Sequence, residues 1–370
     1  MPLIPRLFQR KHSESVVLID ITAGSIAGAY AHYTEKAPPV ITYEKRVPII
    51  THAGEPEEAG LLRALAVLNE ALVREGVPAL SRVSGRGPID TLLVSIGAPW
   101  QRTALHEERI TNTKPFIFTK KLAAETLKRA ALVPAGNTLV DEGVISVRLN
   151  GYETRHPYER RAHRAAIAVL VSFVDTEISE RIYAALHESY HERRRYAIAG
   201  SSLRYQAIRM AFPHERNAII FDATGSAIAV ALVRNGTLVA ISEEAAEPGA
   251  GDAAWVASVK LSFAELAAQY PLPQTVFLLA PESTAVALQQ AIRSALAGLL
   301  WFSDRPPNIV NVRANQLLGP LAHVAEEVPD LSLLLMALYW HPRFVAQHTF
   351  REKEREQSSI EGVHTQVPRE

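Results

Sequence analysis

The chain of 370 residues contains no cysteine. This absence excludes disulfides, thiolate catalysis and zinc sites built on cysteine, and it is compatible with a reducing compartment. Net charge is also absent, because 39 Lys and Arg residues balance 39 Asp and Glu residues. A protein without net charge has no global field that would draw it to nucleic acid or acidic lipid. We therefore expect no nucleic-acid partner.

Long apolar runs are missing as well. The longest are AAIAVLVSFV (165–174) and LSLLLMALYW (331–340). Both are well below the roughly 20 residues that a membrane-spanning helix needs. Residues 1–12 lack the apolar core of a signal peptide. We therefore expect a cytoplasmic protein that touches a membrane peripherally at most.

What is present is an α/β pattern that occurs twice. The length predicts two lobes rather than one core. Residues 15–100 give three strands, a helix and a strand, and residues 217–300 give strand, turn, strand, helix, strand and helix. Between them, residues 101–198 have the pattern of a small α+β insert, with helices predicted at 120–132 and 176–194.

Two segments echo each other closely. VVLIDITAGSIAGAYAHY begins at Val16, and AIIFDATGSAIAVALVRNG begins at Ala218. Each reads as an apolar strand, an aspartate, a turn of small residues and a second apolar strand. The aspartates, Asp20 and Asp222, are 222 − 20 = 202 positions apart. Such a repeat predicts two related lobes that face each other across a cleft.

The two turns have the chemistry of a phosphate clamp. Glycine and serine amides that point outward from a turn bind phosphate oxygens. A carboxylate just before the turn can hold Mg²⁺ that the phosphates also bind. Two facing turns could therefore hold the triphosphate of ATP. The alternative is that each is an ordinary hairpin in which the aspartate caps the turn.

Several motifs, in this order, resemble the actin-like ATPase fold, and within it the branch of the division protein FtsA and the pilus protein PilM. The resemblance spans roughly residues 7–342. The motifs are LIDITAGS (18–25), FDATGS (221–226), EPGAGDAAWVASVKLSFAEL (247–266), VISVRLNGYETRHPYERRAHRAAIAVLVSF (144–173) and VPDLSLLLMALYW (328–340).

The resemblance implies a two-lobed actin-like fold of the duplicated ribonuclease H-like kind. We expect a first lobe at 1–100 completed by 301–345, an inserted α+β subdomain at 101–198, a second lobe with a trimmed lid at 199–300, and a polar tail at 346–370. The residues implied to line ATP are Asp20, Thr22, Ser25, Asp222, Thr224, Gly225, Ser226, Gly249 and Gly251. Asp20 and Asp222 would hold Mg²⁺ when nucleotide is bound.

The chain departs from the family pattern at positions that would hold the nucleotide. Pro281 and Glu282 stand where the family has two glycines against the adenosine, and Thr22 and Ala23 replace a glycine-rich start of the first turn. Residues 252–274 leave little room for a full lid. We therefore expect a cleft too open to hold ATP firmly, weak or lost nucleotide binding, and no catalytic residue.

The reduced plan is also similar to the cytoplasmic part of the type II secretion L protein. By this resemblance the chain is a cytoplasmic scaffold or adaptor of a membrane-associated machine for pilus assembly, secretion or division. A short segment of a membrane-anchored partner would lie in the groove between the first lobe and the insert. Self-association into a homo-oligomer is also compatible with the fold.

Three alternatives assign an enzymatic activity. The first is an active ATPase. The second is a ribokinase-like kinase, in which PGAGDAAW (248–255) would form an anion hole and Asp252 would deprotonate a substrate hydroxyl. The third is a zinc hydrolase through HESYH (187–191), whose His187 and His191 would lie one helical turn apart. A cluster of arginines follows that motif and disfavours a dication.

Overall fold

A computed structural model describes residues 13–346, except 36, 86–87, 155, 191, 226, 246–251, 298, 300–305 and 326–328. The side chains of 245, 252–256 and 258 also lie outside this description. The strands are β1 Ser13–Ile21, β2 Ser25–Thr34, β3 Ala37–Pro48, β4 Thr91–Ile96, β5 Gln101–Phe118, β6 Asn137–Leu149, β7 Tyr152–Glu153, β8 Arg160–Asp175, β9 Arg194–Ala199, β10 Ala218–Asp222, β11 Ala227–Arg234, β12 Thr237–Ala245, β13 Thr275–Leu279, β14 Asn308–Asn311 and β15 Ala322–His323. The helices are α1 Glu57–Ala71, α2 Val77–Ser84, α3 Lys120–Ala130, α4 Thr176–Ser189, α5 Gly200–Ala211, α6 Asp252–Gln269, α7 Glu282–Leu296, α8 Ala314–Leu317 and α9 331–346.

Two of the three sheets repeat one topology. The first has the order β15-β3-β2-β1-β4-β9, and the second has the order β12-β11-β10-β13-β14. In each, a hairpin of antiparallel strands leads to a third antiparallel strand, and two further strands add in parallel on the other side. Except for β15, the sheets match strand for strand. The sequence repeat therefore corresponds to a structural duplication.

The central strands are buried because both faces of each sheet are covered. Every residue of β1 after Ser13 is buried, as expected for a strand with parallel neighbours inside an α/β layer. On one face, α1 and α4 pack through leucine and isoleucine side chains. The other face packs against α5 and α9, which fill the space between the first and second sheets. This shared core fixes the two sheets against each other.

The helical region that follows β3 runs without a break from Glu57 to Ser84. A π-helical segment, Leu72–Gly76, joins α1 to α2. Pro78 is tolerated because it lies in the first turn of α2, where a missing N–H breaks no helical hydrogen bond. Gly76 is required for packing, since a Cβ there would lie 2.6 Å from the Tyr30 ring.

The third sheet belongs to the insert and has the order β5-β8-β6-β7. Two of its strands are long, since β5 has 18 residues and β8 has 16. Helix α3 begins at Thr119, whose side chain accepts a hydrogen bond from the Leu122 N–H, and it packs on one face of the sheet. The sheet forms its own small core around Phe118 and Ile167.

Two predicted boundaries need correction. The insert was expected to reach residue 198, but its sheet ends at Asp175. Helix α4 then packs on α1, and β9 pairs in parallel with β4 of the first sheet. Residues 301–345 were expected to complete the first lobe. Strand β15 does pair with β3 of the first sheet, but β14 pairs with β13 of the second sheet. In both places the chain supplies the fifth strand that the repeated topology requires.

Helix α9 closes the molecule. It begins after Asp330, whose carboxylate accepts a hydrogen bond from the Leu333 N–H at 3.2 Å. Leu333, Leu334 and Trp340 are almost completely buried. The helix therefore packs as a core helix between the two sheets. In the described part of the chain, no helix has the length and apolarity needed to cross a membrane.

Candidate functional site

The two echoed hairpins meet in space. Asp20 is the second-last residue of β1, and Asp222 is the last residue of β10. The turns that follow are in contact, because a Cβ on Gly225 would lie 3.5 Å from the Cβ of Thr22. The structure therefore brings together Asp20, Thr22, Asp222, Thr224 and Gly225 of the predicted site.

An arginine lies between the two carboxylates. Arg204, from the first half of α5, is 4% exposed. Its Nη2 donates to Oδ2 of Asp20 at 3.1 Å and to Oδ1 at 3.3 Å. Its Nε lies 3.0 Å from Oδ2 of Asp222, an ion pair whose N–H direction does not meet hydrogen-bond geometry. One guanidinium group thus neutralises an aspartate from each lobe.

Glycine makes room for this arginine. Gly200 is the first residue of α5 and lies one helical turn before Arg204. A Cβ on Gly200 would lie 2.5 Å from Nη1 of Arg204 and 3.4 Å from the Cα of Gly97. Any larger residue at position 200 would therefore displace the guanidinium group.

Besides Arg204, Asp20 has partners from two other parts of the chain. Ser95, its neighbour on β4, donates its hydroxyl to Oδ1 at 2.8 Å. Arg46 Nη2 lies 4.0 Å from Oδ2. Arg46 also binds both carboxylate oxygens of Asp330, at 2.7 and 3.0 Å. The predicted phosphate ligand Ser25 is part of this network, because its hydroxyl accepts from Arg46 Nη1 at 2.7 Å.

Asp222 instead holds its own turn. Its Oδ1 accepts from the Thr224 N–H at 2.9 Å and from the Thr224 hydroxyl at 2.6 Å. This is the turn-capping geometry that the sequence left open as an alternative. In the first hairpin, Thr22 does not bind Asp20 but donates its hydroxyl to the Ser25 carbonyl at 2.9 Å.

The neighbouring carboxylates keep both arginines of the site charged. Burial alone lowers the pKa of the Arg204 guanidinium, but Asp20, Asp222 and Asp330 raise it by more, so the pKa ends above its usual value. The pKa of Arg46 also rises, because its hydrogen bond to Asp330 and the charges of Asp330 and Asp20 outweigh burial. Both arginines are therefore fixed counter-ions at any pH at which the protein is folded.

Mg²⁺ does not fit between the two described carboxylates. Mg²⁺ binds oxygen ligands at about 2.0–2.1 Å in an octahedron that usually includes waters. The guanidinium group of Arg204 occupies the space between the two carboxylates that would share the ion. The cavity beside the turns holds about 30 Å³, enough for one or two waters. The expected cleft, too open to hold ATP, is therefore corrected: between the described turns it is filled.

Part of the predicted site cannot be placed. Ser226, Gly249 and Gly251 lie outside the described residues. Asp252, the base of the kinase alternative, begins α6, but its side chain is also outside the description. Pro281 precedes the first residue of α7 and is exposed.

The zinc alternative requires one helix that carries both His187 and His191. Helix α4 ends at Ser189, and Tyr190 has extended backbone, so the predicted helix through residue 194 is wrong. His187 is on the helix, while His191 lies outside the described residues. Within the described residues, no group of three His, Asp or Glu side chains could hold a metal ion.

Arg204 was not anticipated from the sequence, although a signal was present. In GSSLRYQAIRMA, helical periodicity places Arg204 on the same face as the apolar Ile208 and beside Ala207. An arginine on an apolar helix face is almost never fully buried unless it is paired. The pattern therefore indicated a buried acid opposite this position.

Comparisons with known proteins identify the fold. No family model matches the chain, and no curated protein matches it by sequence. Among solved structures, the PilM–PilN type IV pilus biogenesis complex is similar, with a TM-score of 0.53, 13% identity, and coverage of 90% of this chain and 98% of that one. A Bacteroides thetaiotaomicron protein with an actin-like ATPase fold has a TM-score of 0.44, 9% identity, and coverage of 90% and 99%.

The cytoplasmic domain of EpsL, from the Vibrio cholerae type II secretion system, has a TM-score of 0.39, 8% identity, and coverage of 88% and 94%. The argument rests on the first match and on the duplicated sheet topology described above. These findings confirm the predicted fold class: the chain adopts the two-lobed actin-like ATPase fold.

Proposed function

We propose that this protein is a non-hydrolysing actin-like scaffold or adaptor of a membrane-associated machine for pilus assembly, secretion or division. The observation that carries the proposal is the position of Arg204 between Asp20 and Asp222. Arg204 neutralises one aspartate from each lobe. Bound Mg²⁺ and nucleotide are therefore not needed to hold the two lobes together.

Electrostatic repulsion supports the loss of nucleotide binding. Two unit charges of the same sign 4 Å apart repel by about 4 kcal/mol at the effective dielectric typical of a protein surface. A divalent cation beside Arg204 would meet about twice that repulsion. Moving Arg204 aside would leave a buried charge without its partners, which is also costly. The folded protein therefore favours its own cation over Mg²⁺.

The adaptor role is supported by the similarity to PilM, whose solved structure is a complex of pilus biogenesis proteins. We propose that this chain likewise acts in the cytoplasm and binds a segment of a membrane-anchored partner through its insert. The family resemblance implies a position for that segment between the first lobe and the insert. Two large grooves that the structure describes lie instead between the insert and the second sheet.

Calorimetric titration of the full chain with Mg-ATP tests the proposal. We expect no saturable binding at ligand concentrations up to about 1 mM. The matched variants are Asp222→Asn and Asp330→Asn, since each removes one carboxylate charge that is paired with an arginine of the site. Saturable micromolar binding that Asp222→Asn abolishes and Asp330→Asn retains would contradict the proposal. It would show instead that Arg204 yields its place to nucleotide.

A further inference from the structure

One of these grooves has a cationic wall. The groove, here called the insert groove, has a volume of about 730 Å³. It lies between strands β6 and β7 of the insert and the tip of the β11–β12 hairpin, with the end of α5 at its base. Ile145, Val147 and Pro157 line the insert side, and Arg209 and Arg216 line the opposite side.

The two arginines converge on one turn. Arg209 donates to the carbonyl oxygens of Glu215 and Gly236, and Arg216 donates to the carbonyl oxygen of Asn235 at 3.0 Å. Arg209 Nη2 and Arg216 Nε lie 3.2 and 3.8 Å from the position of a Cβ on Gly236. The two guanidinium groups therefore flank the same glycine.

Neither arginine is neutralised in the described part of the chain. No described carboxylate oxygen lies within 4.0 Å of either guanidinium group. The acid that lines the groove is Glu153, and its Oε1 accepts from the Thr237 hydroxyl at 3.0 Å. Each guanidinium group has five N–H donors, and neutral carbonyls satisfy few of them. Two adjacent cations with donors to spare favour an anionic ligand.

The other wall indicates what carries the anion. Strand β7 is the outer strand of the insert sheet, so its outer edge has no strand partner among the described residues. Val144, which is 37% exposed, and the partly buried Ile145 add apolar surface beside that edge. A single carboxylate or phosphate would fill a small part of about 730 Å³. An extended peptide uses both walls, since backbone groups pair at strand edges while side chains fill pockets.

We propose that the insert groove binds an acidic peptide segment of a partner protein. A carboxylate of the segment lies between Arg209 and Arg216, and its apolar side chains pack on Val144 and Ile145. A peptide is favoured over a membrane surface because Arg209 is half-buried between two walls that a flat bilayer cannot enter. The proposal rests on the adaptor role but not on the loss of nucleotide binding, so the two experiments fail independently.

Fluorescence anisotropy with the full chain provides the test. The probe is a fluorescein-labelled decapeptide of alternating leucine and aspartate, and the reference peptide has asparagine in place of aspartate. We expect the aspartate peptide to bind about tenfold more tightly or better, with an affinity that falls as salt rises. Arg216→Gln should weaken binding about tenfold, while Arg293→Gln, an exposed arginine on α7, should change nothing.

A second variant tests whether weaker binding by Arg216→Gln reflects the lost charge or a misfolded protein. Thr154→Glu keeps both arginines and adds a negative charge to the groove, so it should also weaken binding of the aspartate peptide. Equal affinity for the two peptides, or wild-type affinity in both Arg216→Gln and Thr154→Glu, would overturn the proposal. So would binding of phosphatidylserine vesicles that depends on Arg216 while the peptide does not bind.

Discussion

The two hairpin turns share a topology but hold their aspartates differently. Asp20 is 1% exposed and depends on distant residues, since Ser95 is 75 positions away and Arg204 is 184 positions away. Asp222 is 8% exposed and caps its own turn through Thr224, two positions away. In the second sheet, the residue that pairs with Asp222 as Ser95 pairs with Asp20 is Leu279, which has no hydroxyl.

This difference shows that duplication conserved the strand order more strictly than the chemistry. The first carboxylate is part of a long-range network, while the second keeps one oxygen for its turn and one for Arg204. Arg204 is the partner that the two share, so it couples a long-range site to a local one. Variants at these positions separate the two contributions.

The largest effect should come from Arg204→Met, which removes the cation that the two buried aspartates share and leaves Asp20 with Arg46 at 4.0 Å. Removal of one partner from a buried ion pair costs about 3–5 kcal/mol, and we expect a loss of that size in the free energy of unfolding. Urea titration followed by tryptophan fluorescence measures it. The triple variant Arg204→Met, Asp20→Asn, Asp222→Asn should recover most of the loss. A triple variant as unstable as the single one would exclude unpaired charge as the cause.

The two aspartates should differ when each is changed alone. Asp20→Asn should cost about 2–3 kcal/mol because Arg204 loses the negative charge of the group that accepts its hydrogen bonds. Asp222→Asn should cost about 1–2 kcal/mol because Arg204 keeps Asp20. The same urea titration compares them directly. Equal losses, or a larger one for Asp222→Asn, would contradict the assignment of Asp20 as the main partner.

Glycine substitutions should compare the packing around Gly200, next to Arg204, with the packing around Gly225, next to Thr22. Gly200→Ala pushes on the Arg204 guanidinium and should cost about 1–2 kcal/mol. Gly225→Ala meets Thr22 at an ordinary contact distance of 3.5 Å and should stay within about 0.5 kcal/mol of the wild type. Thermal unfolding of both variants gives the order. Similar destabilisation by the two would mean that the turns themselves, rather than Arg204, limit the space.

Each turn hydroxyl should contribute the free energy of one hydrogen bond. Thr224→Val removes a donor to a carboxylate and should cost about 1.5 kcal/mol, while Thr22→Val removes a donor to a neutral carbonyl and should cost about 1 kcal/mol. Thermal unfolding of the two valine variants and their double variant checks this. The losses should add unless the two turns, which touch, are energetically coupled.

Much of the fold could be predicted because strand and turn patterns are local. The echoed apolar runs predicted the duplicated hairpins β1–β2 and β10–β11. The boundaries near 175 and 311 could not be predicted, because sheet membership depends on pairing. Strand β9 follows the insert in sequence but pairs with β4, and β14 pairs with β13.

The sequence predicted the two aspartates of the candidate site but not the arginine that lies between them. The resemblance named Asp20 and Asp222, and the structure brings them to one arginine. Arg204 was missed because it follows neither turn. It reaches the site from α5, a helix whose sequence has no motif of its own.

The sequence alone determined where the strands, turns and buried carboxylates lie, since these follow from local apolar patterns and from residues that favour turns. Only the tertiary structure decided what neutralises the carboxylates. A charge buried away from water takes the nearest available counter-charge, and which group is nearest depends on how distant segments pack. Here Gly200 allows Arg204 to lie between the lobes, and that contact decides what the paired turns can bind.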